Sequence, residues 1–367
     1  MKKILIVITT SFVPYGGLTT VMMNYYRAMN KDGLHIDFAS TNVLDDKVLL
    51  CELKEHHSNY YCLGDRKRHI LQYMSNLGKI LKKNKYDIIH VNANSATAVF
   101  ELFVAKICSV KRRIVHIHTS RCNHVTLHKI LYPLFSVMYT DAISCSQKAG
   151  DWIFKDGNYT ILNNGIDSER FIFNELSRKR IRVQYNISDD CVLIGHVGKI
   201  YQPKNHKFMI EIFKSIHELD ANTRFLLVGD GEMRNEIEAL VDTYGLTEYV
   251  IFAGMQTCIE EYLSAMDLFI FPSIWEGMPL SVIEAQASGL TCFISDTIDD
   301  TVCITDTIKM LSISSVDGWI DEFNAFRINS NRVNSSRKNI NDIKSSGFDT
   351  SANVEKLEEL YEMGRKI

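Results

Sequence analysis

Two carboxylates, Glu276 and Glu284, stand eight positions apart on either side of a Gly-Met-Pro turn. The apolar run over 268–271 predicts a buried strand that ends at Pro272, and the residues after the turn predict the start of a helix. Backbone N–H groups at a helix start can bind phosphate, and carboxylates accept hydrogen bonds from hydroxyls. The pattern therefore favours a ligand that carries both phosphate and hydroxyl groups, such as a sugar nucleotide.

Other chemistry is compatible with the same pair. Two carboxylates serve as acid and nucleophile in many glycoside hydrolases, provided that both flank one scissile bond. Alternatively, Glu284 stabilises the helix dipole and Glu276 lies in a surface turn. The two residue types alone leave these interpretations open.

Two lysines follow the strand predicted at 192–195. Gly198-Lys199 comes shortly after this strand, and Lys204 stands five positions further on, before a predicted helix. Two ammonium groups in this arrangement could hold a diphosphate from two sides. Ordinary solvated loop lysines would give the same pattern, so the spacing predicts a phosphate site without requiring one.

Polar and glycine residues also follow strands in the first half of the chain. Gly16-Gly17 stands between the first predicted strand and a helix, where a turn without side chains would let a phosphate or an acceptor approach closely. His118 stands at the tip of a strand and could contact a reacting centre, with His116 on the same face as a second candidate. A plain loop turn and a capped strand-end histidine are the alternatives.

Strand and helix patterns alternate along the whole chain and restart at 192–195. This alternation predicts an α/β protein with two Rossmann-like, doubly wound parallel sheets. We expect an N-terminal domain over 1–170, a C-terminal domain over 171–345, and a helix within 346–367 that packs back on the first domain. Ligands bind at the carboxyl ends of parallel strands, so we expect the two domains to face each other across a cleft.

The charge of the chain is unevenly distributed. Its 367 residues carry a net charge of −3, but residues 1–170 carry 22 Lys and Arg against 14 Asp and Glu, a net of +8, and the remainder carries 19 against 30, a net of −11. The first half is therefore expected to meet an anionic partner, such as a membrane surface or a phosphorylated acceptor, with solvated lysines as the alternative. The basic segments 66–68, 82–85 and 111–113 lack stacking aromatics, so nucleic-acid binding is not expected.

Nine cysteines are spread singly, without the spacing of a zinc site, which predicts no bound metal and a reducing, cytoplasmic location. The apolar run at the N-terminus is too short for a signal peptide and predicts a first buried strand instead. No segment has the apolar length that crosses a bilayer. We expect a cytoplasmic protein, in peripheral contact with the inner face of an anionic membrane if the basic segments bind lipid.

Taken in chain order, these motifs resemble the retaining glycosyltransferases of family 4. The most specific of them is the pair of glutamates separated by seven residues, Glu276 and Glu284. The segment 204–208 is similar to that of bacterial members that build capsular or exopolysaccharide repeat units. The other matching motifs are Gly16-Gly17, His118, Asn164-Gly165-Ile166-Asp167 with Arg170-Phe171, Gly198-Lys199 with Lys204, Gly229-Asp230-Gly231 and Phe271-Pro272-Ser273.

The resemblance implies a GT-B fold and a role for each donor-site residue. Glu284 would bind the ribose hydroxyls of the nucleotide, and Glu276 would contact hydroxyls of the donor sugar. The backbone of Gly277, Met278, Pro279 and Leu280 would lie beside the sugar and the phosphates.

The remaining roles concern the diphosphate and the reacting carbon. Lys199 and Lys204 would neutralise the departing diphosphate, which Gly17 would approach closely. The family usually has arginine where this chain has Lys199, which keeps the charge but loses the bidentate fork. His118 would touch the donor sugar near its reacting carbon.

The implied reaction is transfer of a hexose or N-acetylhexosamine from a nucleotide-diphosphate sugar, a UDP-sugar in the first instance, to a saccharide acceptor expected to be lipid-linked. Configuration would be retained, and neither a metal ion nor a cofactor would be needed. A catalytically inactive GT-B partner subunit and a sugar-nucleotide epimerase are the alternatives.

Overall fold

The chain forms two compact units in a computed structural model that describes residues 1–14, 16–122, 124–155 and 157–362. The N-terminal unit comprises Met1–Gly165 together with the helix that begins at Thr350, and the C-terminal unit comprises Ile166–Asp349. Each unit has its own parallel sheet and its own core.

The N-terminal unit is built on a seven-stranded sheet of order β3-β2-β1-β4-β5-β6-β7, with every pair parallel. Its central strands are buried along most of their length, as expected for a sheet covered by helices on both faces. Its elements are β1 Lys2–Ile8, α1 Gly17–Ala28, β2 Leu34–Ser40, α2 Lys47–Glu55, β3 Tyr60–Cys62, α3 Ile70–Asn84, β4 Ile88–Ala93, α4 Val99–Ile107, β5 Arg112–Ile117, α5 Val125–Phe135, β6 Asp141–Ser144, α6 Gln147–Ile153 and β7 Thr160–Ile161.

The C-terminal unit repeats this plan with a six-stranded parallel sheet of order β10-β9-β8-β11-β12-β13. In both sheets the strand order reverses beside the first strand, which is the doubly wound arrangement that the strand–helix alternation predicts. Its elements are α7 Glu175–Gln184, β8 Val192–Val197, α8 His206–Leu219, β9 Thr223–Val228, α9 Arg234–Thr243, β10 Val250–Gly254, α10 Ile259–Ala265, β11 Leu268–Phe271, α11 Leu280–Ala287, β12 Thr291–Ser295, β13 Ile308–Leu311, α12 Asp317–Ala325 and α13 Arg332–Ser345.

The chain leaves the N-terminal unit after Gly165 rather than at residue 170, and returns to it after Asp349 rather than at residue 345. The difference has a packing cause, because Ile166 and Phe171 are buried in the core of the C-terminal unit. The two crossing segments also pair with each other: Ile166 N donates to Phe348 O at 2.9 Å. Core packing therefore sets the boundary, and the sequence pattern alone does not show it.

A final helix, α14 Thr350–Glu362, completes the N-terminal unit. It packs against α1, and the Tyr361 hydroxyl is 2.7 Å from Nδ1 of His90 on β4. Glu358 accepts a hydrogen bond from the backbone N–H of Asn30 at 2.7 Å, and Lys2 Nζ donates to the carbonyl of Glu362 at 2.6 Å. The helix is thus hydrogen-bonded to two interior strands of the sheet, β1 and β4.

The polar sequence over 329–346 predicts a loop that contains a short charged helix. The structure has the longer helix α13 in its place. Arg332, at its start, is buried and donates to the carbonyls of Leu263, Ser264 and Ser288. These carbonyls lie at or beyond the ends of α10 and α11, where backbone acceptors lack helical partners. The helix is therefore held by tertiary capping contacts that its own sequence does not indicate.

No helix in the described part of the chain combines the length and the apolar character needed to cross a membrane.

Candidate active site

The predicted site residues of the C-terminal unit follow the carboxyl ends of its strands. Gly198 and Lys199 come directly after β8, and Ser273 and Glu276 come after β11, which is hydrogen-bonded to β8. Because parallel strands end at the same edge, their loops are neighbours. The predicted strand before Pro272 and the predicted helix after the turn are both confirmed as β11 and α11.

An ion pair between Lys204 and Glu276 lies at this edge. Lys204 Nζ is 2.9 Å from Glu276 Oε1, and the two side chains are only 11% and 13% exposed. The hydroxyl of Ser273 donates to the same carboxylate oxygen at 3.0 Å. The ammonium also lies 4.2 Å from the centre of the Phe271 ring, within the range of a cation–π contact. The structure thus brings together two predicted site residues that stand far apart in the sequence.

Lys204 is fixed in place by the backbone of a short turn. Residues Gln202–Lys204 form one turn of 3-10 helix, and Asn205 follows in the left-handed region with a φ of 60°. The Asn205 amide donates to the carbonyl of Pro272 at 3.1 Å, and Ile274 N donates to the carbonyl of Pro203 at 2.8 Å. These bonds join the loop after β8 to the loop after β11, so the ammonium is held opposite the carboxylate.

Burial lowers the pKa of Lys204, and Glu276 and Glu284 oppose this change. Burial likewise raises the pKa of Glu284 to about 7, with Arg170 and Lys204 opposing the shift and Glu260 reinforcing it. Glu284 is the fifth residue of α11, beyond the first turn, so it does not stabilise the start of the helix dipole. Its half-buried carboxyl instead shares a charged environment with Lys204.

Arg170 borders this environment and received no role from the sequence. Its guanidinium binds Glu260 Oε2 at 2.8 Å and the carbonyl of Thr257 at 2.8 Å. Its appearance in the motif that follows Asn164 is the only sequence signal for it. Ser273 is a second residue that sequence reasoning left without a function, although it is part of the Phe-Pro-Ser motif.

Lys199 is not part of the Lys204 cluster. Its ammonium pairs with Glu232 Oε2 at 2.8 Å, and both side chains are 59% exposed. An anion that binds Lys199 would therefore have to compete with a solvated carboxylate. Of the two predicted lysines, only Lys204 forms an ion pair with a glutamate of the signature, Glu276.

Glycines let the loops of this edge pack closely. A Cβ atom on Gly198 would lie 2.9 Å from Nε2 of His196 and 3.3 Å from Cε of Lys204. A Cβ on Gly229, whose φ is +137°, would lie 2.0 Å from the carbonyl oxygen of Gly198. Both positions therefore exclude larger residues for reasons of packing, whether or not a phosphate binds there.

The turn between the two glutamates leads into α11. Gly277 is exposed, Met278 and Leu280 are half-buried, and Pro279 is the N-cap residue, without a capping side chain. Proline cannot cap through a side-chain hydrogen bond, so the first N–H groups of α11 have no side-chain acceptor from the cap position. These N–H groups are suited to an anionic ligand.

In the N-terminal unit, His118 is held between two amide side chains. Its Nδ1 is 3.0 Å from Oδ1 of Asn164, and its Nε2 is 2.9 Å from Oδ1 of Asn92. Burial lowers the pKa of His118 to about 4, so the ring is neutral near pH 7 and carries one N–H. One of the two amides must then turn its NH₂ group toward the ring.

His116 packs beneath this histidine and is not at the tip of the strand. The two ring centroids are 3.9 Å apart, and neither nitrogen of His116 makes a hydrogen bond of normal geometry with the described residues. Burial lowers its pKa well below the usual range, and the nearby rings of His118 and His90 add to the shift. His116 therefore acts as a neutral packing residue behind His118.

Gly16 and Gly17 form the entrance to α1. Gly17 is the first helical residue and Gly16 its N-cap, which supplies no capping side chain. A Cβ on Gly16 would lie 3.1 Å from Cγ2 of Val13, whereas a Cβ on Gly17 would meet no atom within 4 Å. The space beside Gly17 is open, as close approach of a ligand would require. Within the described ranges, no three His, Cys, Asp or Glu side chains are grouped so that they could hold a metal ion.

Two family models match the chain. Residues 15–170 match the model described as "Glycosyltransferase Family 4", and residues 191–321 match the model described as "Glycosyl transferases group 1". The two matches fall on the two sheets and together include all of the predicted site residues.

Curated relatives match over most of their length. EpsF of Bacillus subtilis is 28% identical over 303 residues, which is 78% of this chain and 78% of EpsF. The UDP-Gal:alpha-D-GlcNAc-diphosphoundecaprenol alpha-1,3-galactosyltransferase of Escherichia coli is 27% identical over 343 residues, which is 88% of this chain and 85% of that enzyme.

Solved structures share the fold at low sequence identity. Anabaena HepE, crystallised with UDP and glucose, superimposes with a TM-score of 0.77 over 98% of this chain and 99% of its own, at 16% identity. This similarity identifies the fold as GT-B, with two Rossmann-like α/β domains. With both halves matched by family models, the chain belongs to the family 4 glycosyltransferases.

Proposed function

We propose that the protein transfers a hexose or N-acetylhexosamine from a UDP-sugar to a lipid-linked saccharide, with retention of configuration. The donor is supported by Anabaena HepE, a GT-B protein crystallised with UDP and glucose. The acceptor is supported by the relative from E. coli, whose name describes transfer of galactose to a GlcNAc carried on diphosphoundecaprenol. The product would be a repeat unit of a surface polysaccharide.

The observation that carries the proposal is the buried contact between Lys204 and Glu276 beside Glu284. A carboxylate that an ammonium holds in place can accept hydrogen bonds from sugar hydroxyls. In this proposal Glu276 binds the donor sugar, and Glu284 binds the ribose of the nucleotide. The open N–H groups at the start of α11 receive the phosphates.

Charge compensation explains the chemistry of the transfer step. Cleavage of the anomeric C–O bond leaves negative charge on the nucleoside diphosphate and positive charge on the sugar ring. Lys204, and Lys199 once it releases Glu232, stabilise the diphosphate without a metal ion. The acceptor hydroxyl attacks from the face that the diphosphate leaves, and a phosphate oxygen takes its proton, so configuration is retained.

We further propose that His118 contacts the donor sugar through a neutral ring. The two amides that hold it, Asn92 and Asn164, keep it from rotating. Because its pKa is lowered to about 4, it does not act as a cation near pH 7. We assign no general base to this side chain.

The experiment is donor turnover with purified protein and a panel of nucleotide sugars. Lys204→Met should reduce transfer by about a hundredfold or more, because one ion that stabilises the leaving group is lost. Lys207→Met is the matched control, since Lys207 pairs with Glu236 outside the site and is about half exposed. Equal activity of the Lys204 variant and the control would contradict the proposal.

Product analysis separates the remaining possibilities. An anomeric configuration that matches the donor supports retention, and an inverted product refutes it. Activity that is unchanged in a chelator supports metal independence. Binding of UDP without turnover of any donor would identify an inactive partner subunit, and a product formed from the donor alone would identify an epimerase.

We propose a cytoplasmic location at the inner face of the membrane. All nine cysteines are free thiols, which is typical of a reducing compartment. A lipid-linked acceptor would require the enzyme to work at the bilayer surface. Fractionation of cells that express the tagged protein would test this: recovery from an extracellular or periplasmic fraction would contradict it.

A further inference from the structure

Both ring nitrogens of His118 face a side-chain amide. Nδ1 is 3.0 Å from the amide of Asn164, and Nε2 is 2.9 Å from the amide of Asn92. His118 and Asn164 are only 7% exposed, and Asn92 is fully buried. A neutral imidazole has one N–H donor and one bare nitrogen that accepts, so one amide must offer its oxygen and the other its nitrogen. Two arrangements meet this requirement, and they differ in which ring nitrogen carries the proton.

The amide nitrogen of Asn92 distinguishes the two arrangements. With the Asn92 oxygen toward Nε2, Nδ2 of Asn92 is buried and has no acceptor among the described residues. A buried N–H group without an acceptor is costly. When the amide turns over, Nδ2 donates to Nε2 of His118, and the unpartnered atom becomes an oxygen, which proteins tolerate better than a bare N–H. Asn164 has no buried, unpartnered nitrogen and gains nothing by turning.

The fold holds Asn92 against the ring. Asn92 is paired with His116 in the register of β4 and β5, so its side chain shares the face of the sheet that carries His116 and His118. Its own carbonyl accepts hydrogen bonds from the backbone N–H of Thr9 at 3.1 Å and from the Thr9 hydroxyl at 2.9 Å. The backbone that carries the amide is therefore fixed on both sides, by β5 and by the loop after β1.

Helix α1 holds the segment that carries Asn164. The carbonyl of Asn163 accepts a hydrogen bond from the hydroxyl of Tyr25 at 2.5 Å, and the carbonyl of Gly165 accepts one from the amide of Asn24 at 3.2 Å. The peptide groups on both sides of Asn164 are thus bound to neighbouring residues of one helix. The oxygen that faces Nδ1 is held by contacts that do not involve the histidine.

We propose that Asn92 and Asn164 are positioning residues that fix His118 as the tautomer with its proton on Nδ1. In this arrangement Nδ1 donates to Oδ1 of Asn164, and Nδ2 of Asn92 donates to the bare Nε2. The opposite arrangement, with the proton on Nε2, would leave the amide nitrogen of Asn92 buried without an acceptor.

The tautomer determines which groups of a ligand can bind the ring. A bare Nε2 accepts a hydrogen bond from a hydroxyl, but it has no proton to donate to a phosphate oxygen. A sugar hydroxyl could therefore replace the Asn92 amide at Nε2, whereas the diphosphate could not. This consequence for donor binding rests on the proposed function, and the tautomer itself does not.

The test is NMR spectroscopy of the full chain labelled with ¹⁵N-histidine. A ring nitrogen that carries a proton and a bare one resonate at different frequencies, so the spectrum reports the tautomer directly. The signals of His118, one of twelve histidines, are identified by their loss in His118→Gln. If that variant does not fold, they are identified by contacts with the ring of His116, whose centroid is 3.9 Å away. We expect a protonated Nδ1 and a bare Nε2 in the wild type near pH 7.

Two substitutions of similar size separate the roles of the amides. Asn92→Leu should leave the proton on Nδ1, because the Asn164 oxygen still accepts it. Asn164→Leu should move the proton to Nε2, because Asn92 can then turn its oxygen to the ring. Asn76→Leu on α3 is the matched control, since it loses a hydrogen bond of 3.1 Å to the carbonyl of Leu63 and none to a histidine. Its His118 signals should equal those of the wild type.

A proton on Nε2 in the wild type, or exchange between the two tautomers, would overturn the assignment. Unchanged His118 signals in Asn164→Leu would show that Asn164 does not set the tautomer and would overturn its positioning role. The spectra need neither donor nor acceptor, so this inference and the proposed glycosyltransferase reaction fail independently. Transfer should fall further in Asn164→Leu, where the tautomer changes, than in Asn92→Leu.

Discussion

The half-buried carboxyl of Glu284 should make the stability of the C-terminal unit depend on pH. Its pKa is raised from about 4.5 to about 7 by burial. Between these values the folded protein holds a proton that the unfolded chain has released, so the free energy of unfolding falls as pH rises. The slope is about 1.4 kcal/mol per pH unit over about 2.5 units, which gives a loss of about 3 kcal/mol that is complete above pH 7.

The variant Glu284→Gln removes this titration without changing the size of the side chain. It should therefore lose the fall between about pH 4.5 and 7, and exceed the wild type most at pH 8. Chemical denaturation at a series of pH values measures the difference. A Trp152→Phe background restricts the fluorescence signal to the C-terminal unit, because the other two tryptophans are Trp275 and Trp319.

The comparison needs a carboxylate that is exposed to solvent. Glu359→Gln on the exposed side of α14 is a matched control and should follow the wild-type profile. Parallel curves for the wild type and Glu284→Gln from pH 5 to pH 8 would refute the reasoning. Bound UDP should reduce the difference for the wild type, because ribose hydroxyls that donate to the carboxylate favour its charged form.

Three further substitutions test the packing. Gly229→Ala should destabilise the C-terminal unit by about 3 kcal/mol or more, because its Cβ would lie 2.0 Å from Gly198 O at a φ of +137°. Gly318→Ala, in open space on α12, should instead stabilise this unit by about 0.5–1 kcal/mol. Thermal unfolding of the two variants measures both changes, and equal melting temperatures would contradict the packing argument. Tyr361→Phe, on α14, should destabilise the N-terminal unit by about 1–3 kcal/mol, because Nδ1 of His90 loses its buried partner. A melting temperature equal to that of the wild type would show that this hydrogen bond does not stabilise the unit.

The sequence predicts most of what repeats along the chain. Buried parallel strands read as apolar runs, so β1, β8 and β11 are recognisable, and the loops after them mark the binding edge of each sheet. The spacing of Glu276 and Glu284 identifies the family because both lie within one strand–turn–helix segment, where local pattern is enough.

Elements without a helical period are not predicted. Helix α5 contains Pro133, which is unfavourable inside a helix, and α13 is polar almost throughout, so neither sequence indicates a helix of this length. Both are fixed by tertiary contacts, such as the buried guanidinium of Arg332 on the carbonyls of α10.

The electrostatics of the site also depend on contacts between distant segments. The partner of Lys204 is Glu276, whereas Lys199, which has the same chemistry and stands five residues earlier, pairs with Glu232. Nothing in the local sequence distinguishes the two lysines. The turn that carries Asn205 in the left-handed region distinguishes them, because it directs only the second lysine into the buried cluster.

The return of α14 to the N-terminal unit determines the order in which the protein can fold during synthesis. Residues 166–349 leave the ribosome before α14 does, so the C-terminal unit can complete its core while the N-terminal sheet still lacks one of its covering helices. Until α14 arrives, the face of the sheet around His90 is exposed to solvent and to other nascent chains. The nascent N-terminal unit should therefore be the part of the protein that depends most on chaperones.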